Sequence, residues 1–412
     1  MKVLLVTQYF WPETFPINIL ADTLKKYDCD ITVLTGQPNY PEGKIFKGYN
    51  SFFIKKEYHN GIRVLRVPII ARGTSSSVRL LMNYFSFMLS GILLGPFFLF
   101  REKFDIIVGV AQSPVLAVIP AIVLKKIKKI PLVTWVGDLW PESLKSTGHV
   151  SNSLIIRMVG KLTGWIYHNC DLILVQSATF REPILTLCNS AVVAHLPNPA
   201  VAVSAETESV ASASLLLDEG FNVVYAGNIG KVQSLEMIVA AAELLQAEPD
   251  IRIVLIGSGS QSDWLKQEIL KRKLTNIQIP GRFPASEIPE ILKQADVLLV
   301  SLVKDVTMSL TIPSKIQAYM SIGKPILAAM DGEAARLITQ TGAGIATPAE
   351  EPQELAKAIL LLRNASAEEK RKMGTNALNY FNRHFESNAV GLQLISYLKE
   401  TIEKMNRFDN FK

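Results

Sequence analysis

The sequence predicts an α/β protein of two doubly wound, Rossmann-like domains facing across a cleft, and three observations carry that expectation. Short β-branched runs alternate with longer amphipathic stretches, the alternation starts twice, and an interval poor in bulky residues separates the two series. A chain of 412 residues, 49 % of them hydrophobic, also suits two cores better than one.

The first series comprises VLLVT (3–7), ITVLT (31–35), DIIVGV (105–110), PLVTWV (131–136) and LILVQS (172–177). Its opening, MKVLLVTQYFWP, has one lysine, a strand-length apolar run and then polar residues and proline, which describes a buried first strand rather than a signal peptide. Leu81 to Phe100 is the segment of membrane-spanning length. Asn83, Ser86, Ser90 and Pro96 interrupt it, so a pair of core helices, a helix dipping into one leaflet and a true span all remain open. The interval 196–220, LPNPAVAVSAETESVASASLLLDEG, reads as a linker with a loosely constrained loop. The second series follows as NVVYAG (222–227), IRIVLIGSG (251–259), IQIPG (277–281), VLLVSL (297–302) and PILAAM (325–330). The tail 376–405 is helical with no strand after it, and packs on the surface or crosses back to the first domain. The expected division is therefore a first domain 1–198, a linker 199–220, a second domain 221–385 and a C-terminal helix 386–412.

Charge is distributed unevenly. Residues 1–200 hold 21 Lys and Arg against 12 Asp and Glu, a net +9, whereas 201–412 hold 22 against 25, a net −3. The basic half is expected to face something anionic, through Lys55-Lys56, Arg63 with Arg66, and Lys125-Lys126 with Lys128-Lys129. No aromatic-interleaved basic run accompanies them, which favours a membrane surface or a phosphorylated acceptor over nucleic acid. Cys29, Cys170 and Cys188 lack any metal-ligand spacing, so no zinc site or disulfide framework is expected and a reducing cytoplasm fits.

Several loops lie where strands end, the edge at which such sheets bind ligands. In the second domain Gly227-Asn228-Ile229-Gly230-Lys231 falls between a strand and a helix expected to start at Ser234. Helix-entrance N–H groups attract anions and glycine lets a phosphate approach, although the same glycines serve a plain turn. Gly257-Ser258-Gly259 follows the next strand and leaves room for a ligand. Arg282 and Phe283 follow the third, and suit the slot of a nucleobase or a partly buried loop. A loop 309–314 then leads into a helix 315–321, with Pro313 in its first turn and Gly323 and Pro325 as its stop. Such a helix mouth is a diphosphate site, to which Lys315 adds charge unless it is merely solvated. In the first domain WVGDLWPES (135–143) sets Asp138 and Glu142 beyond an apolar strand, for chemistry or for helix capping. Asn18, or Glu13, at the end of the first strand is placed to touch a ligand.

Together these residues resemble glycosyltransferase family 4, the retaining GT-B enzymes, and within it the WbuB- and WcaI-like branch of bacterial surface polysaccharide synthesis. The marks, spread over nearly the whole chain, are TGQPNYPEGK (35–44), GDLWPES (137–143), PNP (197–199), GNIG (227–230), IGSGS (256–260), IPSKIQAYMSIGKPI (312–326), DGEAARLI (331–338) and GAGIATPAEEP (342–352). The resemblance implies a nucleotide-sugar donor on the second domain, an acceptor on the first, a C-terminal helix crossing back, and no metal. Expected donor contacts are Gly227, Asn228, Gly230, Gly257, Ser258, Gly259, Arg282, Phe283, Thr311, Ile312, Pro313, Ser314, Gln317 and Glu333. Asp138, Glu142, Lys231 and Lys315 are the candidate catalytic residues, and Phe15 and Asn18 lie on the acceptor side. The chain departs from the family's pattern in places. Its two glutamates before Gly-Lys-Pro fall at Leu310 and Ala318, and its phosphate-binding arginine and lysine at Asn228 and Gln233.

The function implied is transfer of a hexose or N-acetylhexosamine from a UDP-sugar, such as UDP-glucose or a UDP-N-acetylhexosamine, with retention. The acceptor would be polyprenyl-diphosphate-linked or an oligosaccharide, at the inner face of the cytoplasmic membrane, in O-antigen, capsule or exopolysaccharide synthesis. The alternatives are a non-catalytic scaffold subunit, suggested by the missing carboxylates, and a GT-B-fold UDP-sugar epimerase. The epimerase is disfavoured because all five histidines lie outside the motif loops.

Overall fold

The computed structural model describes residues 1–74, 77–146, 152–202 and 215–409, which leaves 203–214 of the expected linker outside the described residues. The chain divides into two units, Met1–Ala200 together with Ser387–Lys412, and Val201–Glu386.

The first unit carries eight strands: β1 (Lys2–Val6), β2 (Asp30–Gly36), β3 (Lys55–His59), β4 (Ile62–Val67), β5 (Ile106–Ala111), β6 (Leu132–Val136), β7 (Leu172–Val175) and β8 (Val193–His195). They form one sheet in the order β3-β4-β2-β1-β5-β6-β7-β8, parallel except for the β3–β4 pair. Its helices are α1 (Pro16–Lys26), α2 (Ser77–Leu99), α3 (Ile119–Lys128), α4 (Glu142–Ser146), α5 (Ser153–His168) and α6 (Arg181–Leu187). Strands β1, β5 and β6 are apolar on both faces and almost wholly buried, because helices cover the sheet on either side. Helix α1 begins with Pro16 in its first turn, ends on Lys25 and Lys26, and turns Ile17, Leu20, Ala21 and Leu24 inward at helical spacing.

The second unit has β9 (Phe221–Ala226), β10 (Ile251–Ile256), β11 (Ile277–Gly281), β12 (Val297–Ser301), β13 (Ile326–Ala329) and β14 (Gly344–Thr347). All are parallel, in the order β11-β10-β9-β12-β13-β14, the doubly wound arrangement whose direction of winding reverses between β9 and β12. Its helices are α7 (Leu235–Leu244), α8 (Ser262–Lys271), α9 (Ile288–Lys293), α10 (Val306–Ser309), α11 (Ser314–Ile322), α12 (Glu333–Thr341), α13 (Pro352–Asn364) and α14 (Ala367–His384). The last helix, α15 (Ser387–Asp409), belongs to the first unit, where Val390, Leu394 and Leu398 join Ile17, Leu20 and Leu24 in one core.

Three expectations need correction. Residues 81–100 form neither a helix pair nor a wholly buried core element, but most of one continuous helix, α2, that buries Asn83, Tyr84, Phe87, Gly91, Gly95 and Leu99 and leaves its other side open. The Lys55-Lys56 and Arg63-Arg66 cluster is a β-hairpin that leaves Lys56 exposed and pairs its other three cations with carboxylates. Arg66 is 0 % exposed, paired with Glu57 and donating to the Gly36 carbonyl at 3.0 Å and to that of Trp11; Arg63 pairs with Glu102 and Lys55 with Glu57. Charged neighbours two apart on a strand share a face, so Glu57 serves both Lys55 on its own strand and Arg66 across the hairpin, while Arg63 finds its carboxylate outside it. Finally, β14 lies within the stretch GAGIATP, which carries too few bulky residues to stand out as a strand.

Candidate functional site

In the second unit the loops after β9, β10 and β11 surround a cavity of about 610 Å³. Seven expected donor residues line it: Gly227, Asn228, Gly257, Ser258, Gly259, Arg282 and Phe283. Close loop packing explains the glycines. Gly257 adopts φ +142, and a Cβ there would stand 1.8 Å from the Gly227 carbonyl oxygen; one on Gly259 would stand 2.3 Å from that of Ile229. Only a residue without a side chain permits this approach.

Lys315 reaches the same loop from α11. Its Cε lies 2.2 Å and its Nζ 2.8 Å from where a Cβ on Gly227 would be, and its ammonium sits 5.0 Å from the centroid of the Tyr225 ring. One helical turn on, on the same face, Tyr319 fixes α11 to the end of β9: its hydroxyl accepts from the Ala226 N–H at 2.8 Å and donates to the Ala226 carbonyl. Tyr225 donates to the Asn228 carbonyl at 2.6 Å and stiffens the loop itself. Burial pushes the Lys315 pKa below the ordinary lysine value.

The rest of the expected donor set is arranged differently. Helix α11 starts at Ser314 with Pro313 as its N-cap and closes on Gly323 at φ +74; the preceding stretch contains a short helix, α10, capped by Asp305 accepting from the Met308 N–H. Ser314 is exposed, Thr311 half-buried, Ile312 buried, and Gln317 turns inward with 3 % exposure. Glu333 opens α12 and pairs with Arg336. The GNIG loop does not run directly into a helix: a 3₁₀ turn, Lys231–Gln233, and a left-handed Ser234 intervene before α7. Lys231 is exposed on that turn. The Gly230 N–H donates to Gln233 Oε1 at 3.0 Å, that of Ile229 to the Ser258 carbonyl at 3.1 Å and that of Gly227 to the Ile256 carbonyl at 2.8 Å. These three donors are therefore spent on holding the loops, and cationic charge at this end of the cavity comes from Lys315.

In the first unit Asp138 lies just beyond β6 and accepts a hydrogen bond from the Ser143 hydroxyl. Burial raises its pKa against the opposing pull of Ser143, Trp140 and Ser113. Glu142 begins α4, and its Oε2 is buried without a partner among the described residues, as is the Tyr167 hydroxyl. Phe15 stacks on Tyr9 at 5.0 Å between ring centroids, and Asn18 Nδ2 donates to the Glu13 carbonyl at 2.6 Å, so both shape the turn into α1.

Around that turn is a polar cluster that residue spacing did not reveal. Glu13 is buried, with Oε1 accepting from the Asn39 and Tyr40 N–H groups at 2.8 and 2.7 Å and Oε2 unpartnered among the described residues. Asn39 Oδ1 accepts from the Arg72 N–H, and Asn83 joins Gln8 Nε2 to the Ile70 carbonyl, each bond 2.6 Å. Asn83 is visible as a polar break in an apolar run; its partners outside α2 come from the three loops after β1, β2 and β4. Among the described residues no three His, Cys, Asp or Glu side chains gather into a metal-ligand set.

Residues 208–380 match the family model of glycosyl transferases group 1. The chain is 28 % identical over 235 residues to the probable glycosyltransferase WbjE of Pseudomonas aeruginosa, a match spanning 55 % of this chain and little more than half, 58 %, of that protein. It is 24 % identical over 342 residues to the putative colanic acid biosynthesis glycosyl transferase WcaI of Escherichia coli, spanning 78 % and 82 %. Among solved structures, sucrose-phosphate synthase from Thermosynechococcus elongatus superposes with a TM-score of 0.72 at 15 % identity, over 98 % of this chain and 99 % of that one. HepE of Anabaena in complex with UDP gives 0.66 at 17 % identity, over 97 % and 100 %.

Proposed function

We propose, from a chain whose second half is a group 1 glycosyl transferase domain and whose fold is that of the GT-B glycosyltransferases, that it transfers a sugar from a nucleotide donor in the synthesis of a bacterial polysaccharide. The observation that carries this reading is the cavity at the ends of β9, β10 and β11 with the half-buried Lys315 side chain against Gly227. A cavity lined by Arg282 and Phe283 suits a nucleobase, and glycine loops with the Lys315 cation beside them suit a diphosphate. HepE, which shares the fold, binds UDP, and this supports UDP as the nucleotide.

In the proposed reaction the bond between the sugar's anomeric carbon and the diphosphate oxygen breaks while an acceptor hydroxyl oxygen forms the new glycosidic bond and its proton passes to the departing diphosphate oxygen. The nucleoside diphosphate leaves with its charge held by Lys315 and by the first turn of α11, without a metal bound by the protein. Lys231 supplies further charge from the exposed turn. Retention follows if acceptor and leaving group share one face of the sugar. Asp138 and Glu142 serve the acceptor side, with Phe15 and Asn18 shaping the approach. The sugar is a hexose or N-acetylhexosamine, the acceptor is lipid-linked or an oligosaccharide, and the enzyme works in the cytoplasm at the inner membrane face.

The test is titration calorimetry with UDP, followed by incubation with a panel of UDP-sugars and detection of released UDP. Binding with turnover of at least one donor is expected. Absence of binding to every UDP-sugar would refute the reading, and binding without turnover in any acceptor mixture would favour a scaffold subunit.

A further inference from the structure

Helices α2, α3 and α5 line the face of the first sheet opposite α1 and α15. Gly91 and Gly95 of α2 lie against Pro120 and Leu124 of α3, Lys128 on α3 donates to the Leu99 and Glu102 carbonyls at the end of α2, and Lys126 sits 5.9 Å from the Trp165 ring of α5. The outer sides of these helices are apolar. Val78, Leu81, Met82, Phe85, Leu89, Leu93, Phe97 and Phe100 form a stripe along α2 and just past its end, about 33 Å long at the helical rise, in which Leu93 is 70 % and Phe97 75 % exposed. Ile127 extends it on α3, and Leu154, Ile155, Met158, Leu162 and Trp165 repeat the pattern on α5. A contiguous exposed apolar surface on this scale marks an interaction site.

Charge decides what covers it. None of the three helices contains an Asp or Glu, while Lys126, Lys129, Arg157, Lys161 and, beyond α2, Arg101 stand exposed beside the apolar residues. Apolar side chains accompanied on these helices by cations and by no acidic residue complement a surface that is greasy in its interior and anionic at its boundary. We infer that α2, α3 and α5 form a docking face that lies flat on an anionic lipid bilayer, the apolar side chains entering one leaflet and the cations meeting phosphate headgroups.

Helix α2 is long and apolar enough to cross a membrane by composition, yet its inner side is committed to the protein. Asn83 is tied to Gln8 and to the Ile70 carbonyl, and Phe87, Gly91 and Gly95 pack inward, so a crossing would uncover the unit's own sheet. In-plane seating keeps those contacts. This inference deepens the proposed function, resting on it for which membrane is meant but not for the binding itself.

The experiment is flotation of the full chain with vesicles of phosphatidylethanolamine and phosphatidylglycerol in equal parts, and with phosphatidylcholine alone. The protein should float with the anionic vesicles and do so less as salt is raised. The double variant Leu93→Glu, Phe97→Glu should lower partitioning by at least about tenfold, since two inserted apolar side chains become charged. Lys126→Glu with Lys129→Glu should lower it several-fold and weaken the salt dependence. Leu270→Glu, at a 76 % exposed position of the second unit, should leave it unchanged. UDP titration of every variant separates loss of fold or of the donor site from loss of lipid binding. Wild-type protein that stays in the aqueous layer, or an α2 variant that floats as well as wild type, overturns the inference. In the former case a dimer seen by light scattering and split by the α2 variant would assign the face to a second copy.

Discussion

Replacing Glu13 by Gln should make the first unit's stability insensitive to a pH range in which the wild type weakens. Burial raises the Glu13 pKa from 4.5 to about 7, although the Asn39, Tyr40 and Phe10 N–H groups and Arg66 all pull it down. The folded protein therefore holds this proton more tightly than the unfolded chain does. Its favourable contribution is complete below pH 4.5 and is lost as pH rises to about 7, a loss of about 3 kcal/mol by linkage. In Glu13→Gln the amide oxygen keeps both backbone hydrogen bonds and nothing ionises. Urea unfolding followed by tryptophan fluorescence reads this unit preferentially, since Trp11, Trp135, Trp140 and Trp165 lie in it and Trp264 alone lies in the other. The stability difference between variant and wild type should move in the variant's favour by about 2.5 kcal/mol between pH 5 and pH 8. Parallel pH profiles for the two proteins would show that the carboxyl is neither buried nor protonated as described.

Lys315→Met keeps an apolar stem against Tyr225 and removes the charge. UDP affinity measured by calorimetry should fall about 10- to 100-fold, the worth of a charge-assisted contact at about 1.5–3 kcal/mol, and an unchanged affinity would move the diphosphate elsewhere. Because burial already lowers the Lys315 pKa, wild-type UDP affinity should begin to decline below the pH at which an ordinary lysine titrates, and this decline should be absent in the Met variant. Gly257→Ala forces a Cβ to 1.8 Å from a carbonyl oxygen at φ +142; a cost of about 2–4 kcal/mol in the second unit's thermal unfolding is expected, and near-neutral stability would contradict the packing of the two loops. Arg66→Met strands Glu57 and two backbone carbonyls, so denaturant unfolding of the first unit should lose about 3–5 kcal/mol, with a loss under about 1 kcal/mol counting against a buried ion pair.

The strands that the sequence reveals are those buried on both faces. VLLV (3–6), IIVGV (106–110) and VLLV (297–300) have no polar position to confuse the pattern, and they place the glycine loops at the sheet edge without further information. The β3–β4 hairpin escapes because KKEYH and IRVLRV look like charge, and the pairing of Arg66 with Glu57 depends on a cross-strand register that neighbouring residues do not encode. The site divides the same way. Gly227, Gly257 with Ser258, and Arg282 are legible because they directly follow β9, β10 and β11. The orientation of Lys315 toward Gly227 depends on Tyr319 finding the end of β9, 93 positions away. The cluster around Glu13 draws on backbone N–H groups at 39 and 40, which leave no trace in residue identity.

The return of α15 sets an order of assembly. Translation makes β1 to β8 first, then the whole of Val201–Glu386, and only afterwards the helix whose Val390, Leu394 and Leu398 cover Ile17, Leu20 and Leu24. The portion begun earliest on the ribosome is thus completed last, its apolar flank bare while an entire second body is synthesised and can already close upon itself.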